Sequence, residues 1–374
     1  MARIGINTRF LIQGKMEGFG WYTYEICKRI ASDHPEHEFF FFFDRPYHPD
    51  FKFTSNVTPV VLRPAARHPF LFILWFELLV TRALAKYKID LFFSPDGYLS
   101  LRTNVPQVCT IHDINFEHFP QDIPAAPRWY LRRYFPKFAV IAKHIITVSD
   151  FSKRDIAKTY SVPNEKITAI WNGASEIFQP LNSPEVAIIR QKLTGGKPYF
   201  IFVGSIHPRK NLNRLLEAYE AYVKGSDDPW HLVIVGAPMW KEKGLSHLSG
   251  TLASQFIHFT GRLDQQTLAE TMGAAGALTF VPYFEGFGIP LVEAMKCGIP
   301  ILAGDRSCLP EIAGDAAIYC DPFEVKSIHE GLLTISTNDQ LREELSKKAM
   351  EQSLLFDWNI SAKKTWEVIT AQLA

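Results

Sequence analysis

Short apolar runs alternate along this chain with longer stretches of helical periodicity, almost from end to end. In the first half the runs fall at 2–7, 38–43, 58–62, 89–93, 106–111, 145–148 and 167–171. In the second half they fall at 199–204, 231–235, 256–259, 277–281, 299–303 and 317–320. A strand with one wet face alternates apolar and polar residues, whereas runs such as Phe39–Phe43 and Tyr199–Val203 are apolar throughout. They predict parallel strands covered by helices on both sides, in βαβ units. Between 174 and 198 the pattern weakens, and Pro180, Pro184, Gly195, Gly196 and Pro198 accumulate. That stretch reads as a junction, so the chain divides into a Rossmann-like domain at 1–173 and a second at 174–357. A last helical pattern occupies 358–374.

Composition narrows the partners. The 374 residues are 47% hydrophobic and 21% charged with a net charge of +1, enough for large cores and no strong field for nucleic acid. Cys27, Cys109, Cys297, Cys308 and Cys320 form no C-x-x-C pair and read as reduced, buried thiols. The start, Met1 to Asn7, reads as a first strand and not a signal peptide. No apolar run approaches the roughly 18 residues of a membrane span. The sequons at Asn56 and Asn359 have no other sign of secretion beside them. The expected location is the cytoplasm.

Open α/β sheets bind ligands beyond the C-terminal ends of their strands, so chemistry is sought there. Glu285-Gly286-Phe287-Gly288-Ile289-Pro290-Leu291-Val292-Glu293 joins such an end to a short helix stopping at Gly298. Pro290 suits the start of a helix and Gly298 the residue past its end, which places Glu285 in the loop and Glu293 in the first helical turn. Helix N–H groups, two glycines without side chains and two carboxylates suit a phosphate together with sugar hydroxyls. An ordinary loop–helix corner with solvated glutamates is the alternative.

Val203-Gly204 leads through Ser205-Ile206-His207-Pro208-Arg209-Lys210 to a helix beginning near Asn211, an expected N-cap. Arg209 and Lys210 sit where a helix dipole disfavours cations by about 0.3–1 kcal/mol each. A bound diphosphate would remove the conflict; two solvated surface charges are the other reading. In the first domain Gly18-Phe19-Gly20 reads as a flexible loop ahead of a helix, too far from strand one for a dinucleotide fingerprint. His112-Asp113 and Ser94-Pro95-Asp96 end buried strands, and Ser149 reads equally well as a helix cap. His112 suits either a structural or a ligand-facing role. There is no Asp-x-Asp, so no metal is expected at a leaving diphosphate, whose charge cations and a helix terminus would carry instead. His34 and His37 are a weak metal signal and are set aside.

These residues resemble the retaining GT-B glycosyltransferases of the "glycosyl transferases group 1" type, bacterial mannosyltransferases among them. The resemblance rests on Glu285-x7-Glu293, Val203-Gly204 with Pro208-Arg209-Lys210-Asn211, Thr260-Gly261-Arg262-Leu263 and Ser307 to Ala317. Gly18–Gly20, His112-Asp113, Thr147 to Ser152 and Asn172-Gly173 fit in the first domain. It implies two Rossmann-like domains facing each other across a cleft. The last helix, after Phe356-Asp357-Trp358, would pack back on the first domain. It further implies that Glu293 holds the ribose, and that Glu285 with the Phe287, Gly288 and Ile289 backbone contacts the donor sugar. Arg209 and Lys210 would hold the diphosphate beside Gly204 and Ser205, and Arg262 and Leu263 would lie against the base. His112 would touch the donor sugar and help polarise the reaction centre, and Gly18 and Gly20 would lie close to the donor. The family often carries Arg where this chain has Ser205.

The implied reaction moves a hexose, mannose or glucose, from a nucleotide diphosphate sugar to a glycan or lipid-linked acceptor in cell-surface polysaccharide synthesis, with retention and without metal. A nucleotide-sugar epimerase and a silent nucleotide-sugar-binding protein are the rivals. The stretches 69–76 and 128–135 are aromatic-rich, and the second is basic. The first suits core packing; the second suits either packing or peripheral contact with the inner face of a membrane.

Overall fold

The computed structural model describes residues 1–236 and 251–373. The chain separates into two compact units, Met1–Asn172 with Asp357–Ala374, and Gly173–Phe356.

Unit 1 is built on seven parallel strands: β1 (Arg3–Asn7), β2 (Glu38–Phe43), β3 (Val57–Val61), β4 (Leu91–Ser94), β5 (Gln107–Thr110), β6 (His144–Thr147) and β7 (Ile167–Ala169). They run in the order β3-β2-β1-β4-β5-β6-β7. The phenylalanine run of β2 explains the layering. Successive side chains point to opposite faces, so Phe39, Phe41 and Phe43 enter one core while Phe40 and Phe42 enter the other. Each fully buried ring contributes about 1.5–3 kcal/mol. The first core is closed by Tyr22, Ile26 and Ile30 of the Gly18–Asp33 helix and by Trp358 and Trp366 of the last helix, Trp358–Thr370. Trp366 stacks on His34 at 4.3 Å and meets His37 edge-on, so both histidines serve aromatic packing. The second core takes Trp75, Phe76, Tyr130, Phe135 and Phe138. The aromatic stretch at 69–76 therefore sends Trp75 and Phe76 inward.

Unit 2 carries six parallel strands: β8 (Tyr199–Val203), β9 (His231–Val235), β10 (Ile257–Gly261), β11 (Ala277–Phe280), β12 (Ile301–Gly304) and β13 (Ala317–Cys320). Their order is β10-β9-β8-β11-β12-β13. Phe200, Phe202 and Leu232 pack with Leu215, Leu216 and Tyr219 of the Leu212–Lys224 helix. In both sheets the chain winds outward from the first strand, then returns to its other side. Topological switch points thus lie between β1 and β4 and between β8 and β11. All five cysteines are buried and none forms a disulfide, and no described helix is long and apolar enough to cross a membrane.

Candidate functional site

The unit 2 site begins where β8 and β9 end. Gly204 has φ +153° and Gly236 φ +148°. A Cβ on Gly236 would lie 1.9 Å from the Gly204 carbonyl oxygen, so no side chain fits there. Gly236 was not among the residues singled out from sequence, because its constraint comes from a loop more than thirty positions away. Beyond Gly204, Ser205 is half-buried and the chain turns at Pro208–Lys210, a 3-10 turn whose Arg209 N–H donates to His207 Nδ1 at 3.3 Å. Asn211 precedes the Leu212–Lys224 helix, as expected, yet it does not cap it. It stands in the left-handed region at φ +61°, and its side-chain amide donates to the carbonyls of Val281 (3.0 Å) and Pro322 (2.6 Å).

Arg209 and Lys210 converge on one carboxylate. Arg209 Nη1 lies 2.6 Å and Lys210 Nζ 2.5 Å from Glu285 Oε1. Arg209 also donates to the Phe284 carbonyl at 3.1 Å, and Lys210 lies over the Phe280 ring at 5.1 Å. Burial pushes the Glu285 carboxyl up, but the two cations overcome it and hold the group below the usual carboxylate range. The helix-dipole conflict expected at these cations is thus already eased inside the protein by the Glu285 carboxylate. Glu285 is itself fixed through its backbone N–H, which donates to Ser307 Oγ at 3.1 Å. Ser307 (φ +56°) was quoted from sequence only as part of a longer match, with no role.

The Ile289–Lys296 helix follows, entered through Gly288 at φ +89°, with Pro290 at its second position. Gly298 closes it in the left-handed region: Gly298 N–H donates to Met295 O and Ile299 N–H to Ala294 O. Counting from Ile289, Glu293 is the fifth residue, which starts the second turn and not the first. Part of Glu293 reaches the surface, but its carboxyl is closely surrounded by protein. Burial raises it to about 8, and among the described residues nothing offsets that burial. Phe287 is buried against Phe356, with ring centroids 5.8 Å apart. Arg262 is exposed and Leu263 half-buried just after β10, joined to this edge by Gly236 N–H donating to Gly261 O at 2.9 Å.

In unit 1, Gly18–Gly20 is the first turn of the Gly18–Asp33 helix and not a flexible loop. The bare Cα of Gly20 admits the Phe10 carbonyl, 2.9 Å from where a Cβ would stand, while Gly18 faces open space. His112 packs against Phe19 and Tyr22, each at 4.7 Å, so this helix start and His112 form one cluster. His112 Nε2 lies 2.8 Å from the Pro95 carbonyl, which must accept, so Nε2 carries the proton. Burial lowers the His112 pKa despite that contact, keeping the ring neutral with Nδ1 as acceptor. Asp96 is drawn inward by Arg9 at 2.7 Å, and Ser149 caps the Asp150–Tyr160 helix through Ser152 N–H.

Comparison with known proteins agrees with this architecture. The family profile "Glycosyl transferases group 1" matches residues 186–352, and "Glycosyltransferase Family 4" matches 16–176. The chain is 28% identical to O-antigen chain mannosyltransferase B of Escherichia coli, over 76% of this chain and 74% of that one. It is 27% identical to O-antigen chain mannosyltransferase RfbU of Salmonella typhimurium, over 64% and 63% of the two chains. The crystal structure of Anabaena HepE in complex with UDP-glucose superimposes with TM-score 0.77 at 18% identity, covering 99% of this chain and 100% of that one. The chain belongs to the group 1 glycosyltransferases and has their GT-B fold.

Proposed function

We propose that the protein transfers a hexose, mannose or glucose, from a nucleoside diphosphate sugar to a glycan or lipid-linked glycan during cell-surface polysaccharide synthesis, with retained anomeric configuration and no metal ion. The convergence of Arg209 and Lys210 on Glu285 at the β8–β11 switch point carries the reading. An arriving diphosphate finds two cations already gathered and the N–H groups of a helix whose Asn211 has turned away. As Arg209 and Lys210 turn toward the diphosphate, Glu285 becomes an acceptor for sugar hydroxyls. Glu293, whose burial nothing among the described residues offsets, receives the ribose hydroxyls, and Arg262 and Leu263 lie against the base. His112, neutral, contacts the transferred sugar. Charge developing on the departing diphosphate is then stabilised by groups already in place. The relatives' names, O-antigen chain mannosyltransferases, support a glycan acceptor, and the UDP-glucose held by a protein of the same fold supports a nucleotide-sugar donor.

The test is incubation with GDP-mannose, UDP-glucose or ADP-glucose and a lipid-linked glycan, with and without chelator, reading the product's anomeric proton by NMR. Retained configuration and a chelator-insensitive rate are expected. Inverted product, or a rate abolished by chelator and restored by magnesium, would contradict the corresponding part. Conversion of donor without acceptor would favour an epimerase, and binding without turnover a silent binding protein.

A lipid-linked acceptor would place the enzyme at the inner face of the membrane, and one surface suits that. The Ala125–Ile141 helix carries Arg128, Arg132, Arg133 and Lys137 and no acidic residue. Trp129, Arg133, Pro136 and Val140 recur at spacings of four, three and four, one stripe of a 3.6-residue helix. Trp129 and Val140 are exposed, as is neighbouring Phe70, while Tyr130 and Phe135 point into the core. A groove of about 730 Å3 beside Arg128, Trp129, Arg132 and Arg133 has room for a headgroup. Flotation with anionic vesicles, lost in Trp129→Ala/Arg133→Glu, is the expected outcome. Absence of flotation by the parent protein would remove the membrane contact.

A further inference from the structure

The side chain of Asn211 has left the cap position, and what it holds instead defines a role. Asn211 is only 3% exposed. The nitrogen donates to Val281 O in the loop after β11 and to Pro322 O in the loop after β13, while the oxygen accepts from Arg214 Nη1 at 2.9 Å. The two carbonyls, which only accept, fix which end of the amide is nitrogen. Asn211 itself belongs to the loop after β8, so one side chain gathers the ends of three strands.

Two further bonds show what that gathering aligns. Tyr283 N–H donates to the Arg209 carbonyl at 3.2 Å, and Asn211 N–H closes the Pro208–Lys210 turn at 2.9 Å. The segment bearing Arg209 and Lys210 is therefore clamped to the segment bearing Glu285 by Tyr283 within one and Asn211 at the turn's end. Asparagine is the residue that meets every requirement here. The left-handed φ of +61° restricts the position to Gly, Asn or Asp at low cost. Gly offers no donor, and Asp would set an acceptor against two carbonyls.

We infer that Asn211 is a positioning residue of the donor site: it holds Arg209 and Lys210 in register with Glu285 and leaves the Leu212–Lys224 helix start uncapped for the diphosphate. The link to diphosphate rests on the proposed glycosyltransfer; the link to Glu285 does not.

The experiment separates the two. Asn211→Gly keeps the backbone conformation and removes all three side-chain bonds. Asn211→Ser leaves one donor and serves as a milder variant should Asn211→Gly fold poorly. The Glu285 carboxyl is titrated by carbon-13 NMR in each folded variant, and turnover is measured well below the melting temperature. The Glu285 titration should move up toward the ordinary carboxylate range in Asn211→Gly, less so in Asn211→Ser. Turnover should fall at least tenfold in kcat with a smaller change in donor KM. An unchanged Glu285 titration overturns the positioning role whatever the activity. A moved titration in a protein whose parent binds no nucleotide would keep the positioning role and sink the donor reading.

Discussion

The two sheets place an ion pair at the same topological spot, and the two pairs differ in kind. Beside the β1–β4 switch point, Arg9 and Asp96 pair at 2.7 Å with side chains 4% and 2% exposed. Arg9 is boxed by the rings of Phe10, Phe72, Phe76 and Tyr98, the last at 4.0 Å, and Asn7 completes Asp96 at 2.8 Å. One positive charge meets one negative charge and aromatic rings exclude water. Beside the β8–β11 switch point, two cations share a single carboxylate, and Arg209 remains 22% exposed. A balanced, sealed pair is a structural brace. A reachable cluster of two cations is charge that an anion can approach, and partial desolvation makes that attraction stronger than in water. Fold position alone does not distinguish a brace from a candidate anion site; the exposure and gathering of the cations there do.

Breaking each pair should separate the two kinds. Arg9→Ala strands Asp96 inside aromatic packing and should cost about 3–5 kcal/mol of stability, read by denaturant unfolding. A loss below about 1 kcal/mol would show that the pair is no brace. Lys210→Ala, with Arg209 still at Glu285, should leave the unfolding midpoint nearly unchanged. It should lower kcat about 10²–10³-fold, the loss typical of removing one donor to developing charge. Unaltered turnover would reject its role. Gly236→Ala forces a methyl against the Gly204 carbonyl and should cost about 1–3 kcal/mol, with nucleotide affinity falling as the β8 turn shifts. A variant with wild-type melting and binding would mean that this close approach does not matter.

A further effect concerns protons. Glu293 is raised to about 8 from an ordinary value of 4.5, so between those values the folded protein holds a proton that the unfolded chain has released. Its contribution to stability therefore falls as pH rises from about 4.5 to 8. Glu293→Gln removes that dependence. Relative to the parent, it should melt several degrees higher at pH 8 than at pH 5, while losing nucleotide affinity. An equal melting difference at both pH values would mean that the carboxyl is not desolvated.

Much of this was legible from residues alone. Each apolar run predicted from Arg3 to Cys320 became a strand within a few positions, because buried parallel strands leave no polar interruption to mislead. Arg209, Lys210 and Glu285 were readable as strand-end chemistry, and their residue types and sites suffice for that. What escaped depends on contacts between loops far apart in the chain. Asn211 looked like a cap because its neighbours are helical, and only Val281 and Pro322 show otherwise. Gly236 carries no signal beyond ending a strand, since the carbonyl that excludes a side chain belongs to Gly204. The Gly18–Gly20 stretch looked like a loop because glycine weakens a helix, yet the tight approach of the Phe10 carbonyl is compatible with a helical turn only when Cβ is missing.

The central claim is that Arg209 and Lys210 hold a nucleotide's diphosphate. Calorimetric titration of GDP, UDP and ADP into the parent protein and into Lys210→Ala, without metal, tests it most directly. Binding of at least one nucleotide with Kd in the range of about 1 μM to 1 mM, weakened tenfold or more in the variant, is the predicted result. No heat from any of the three, or equal affinity in both proteins, would contradict it.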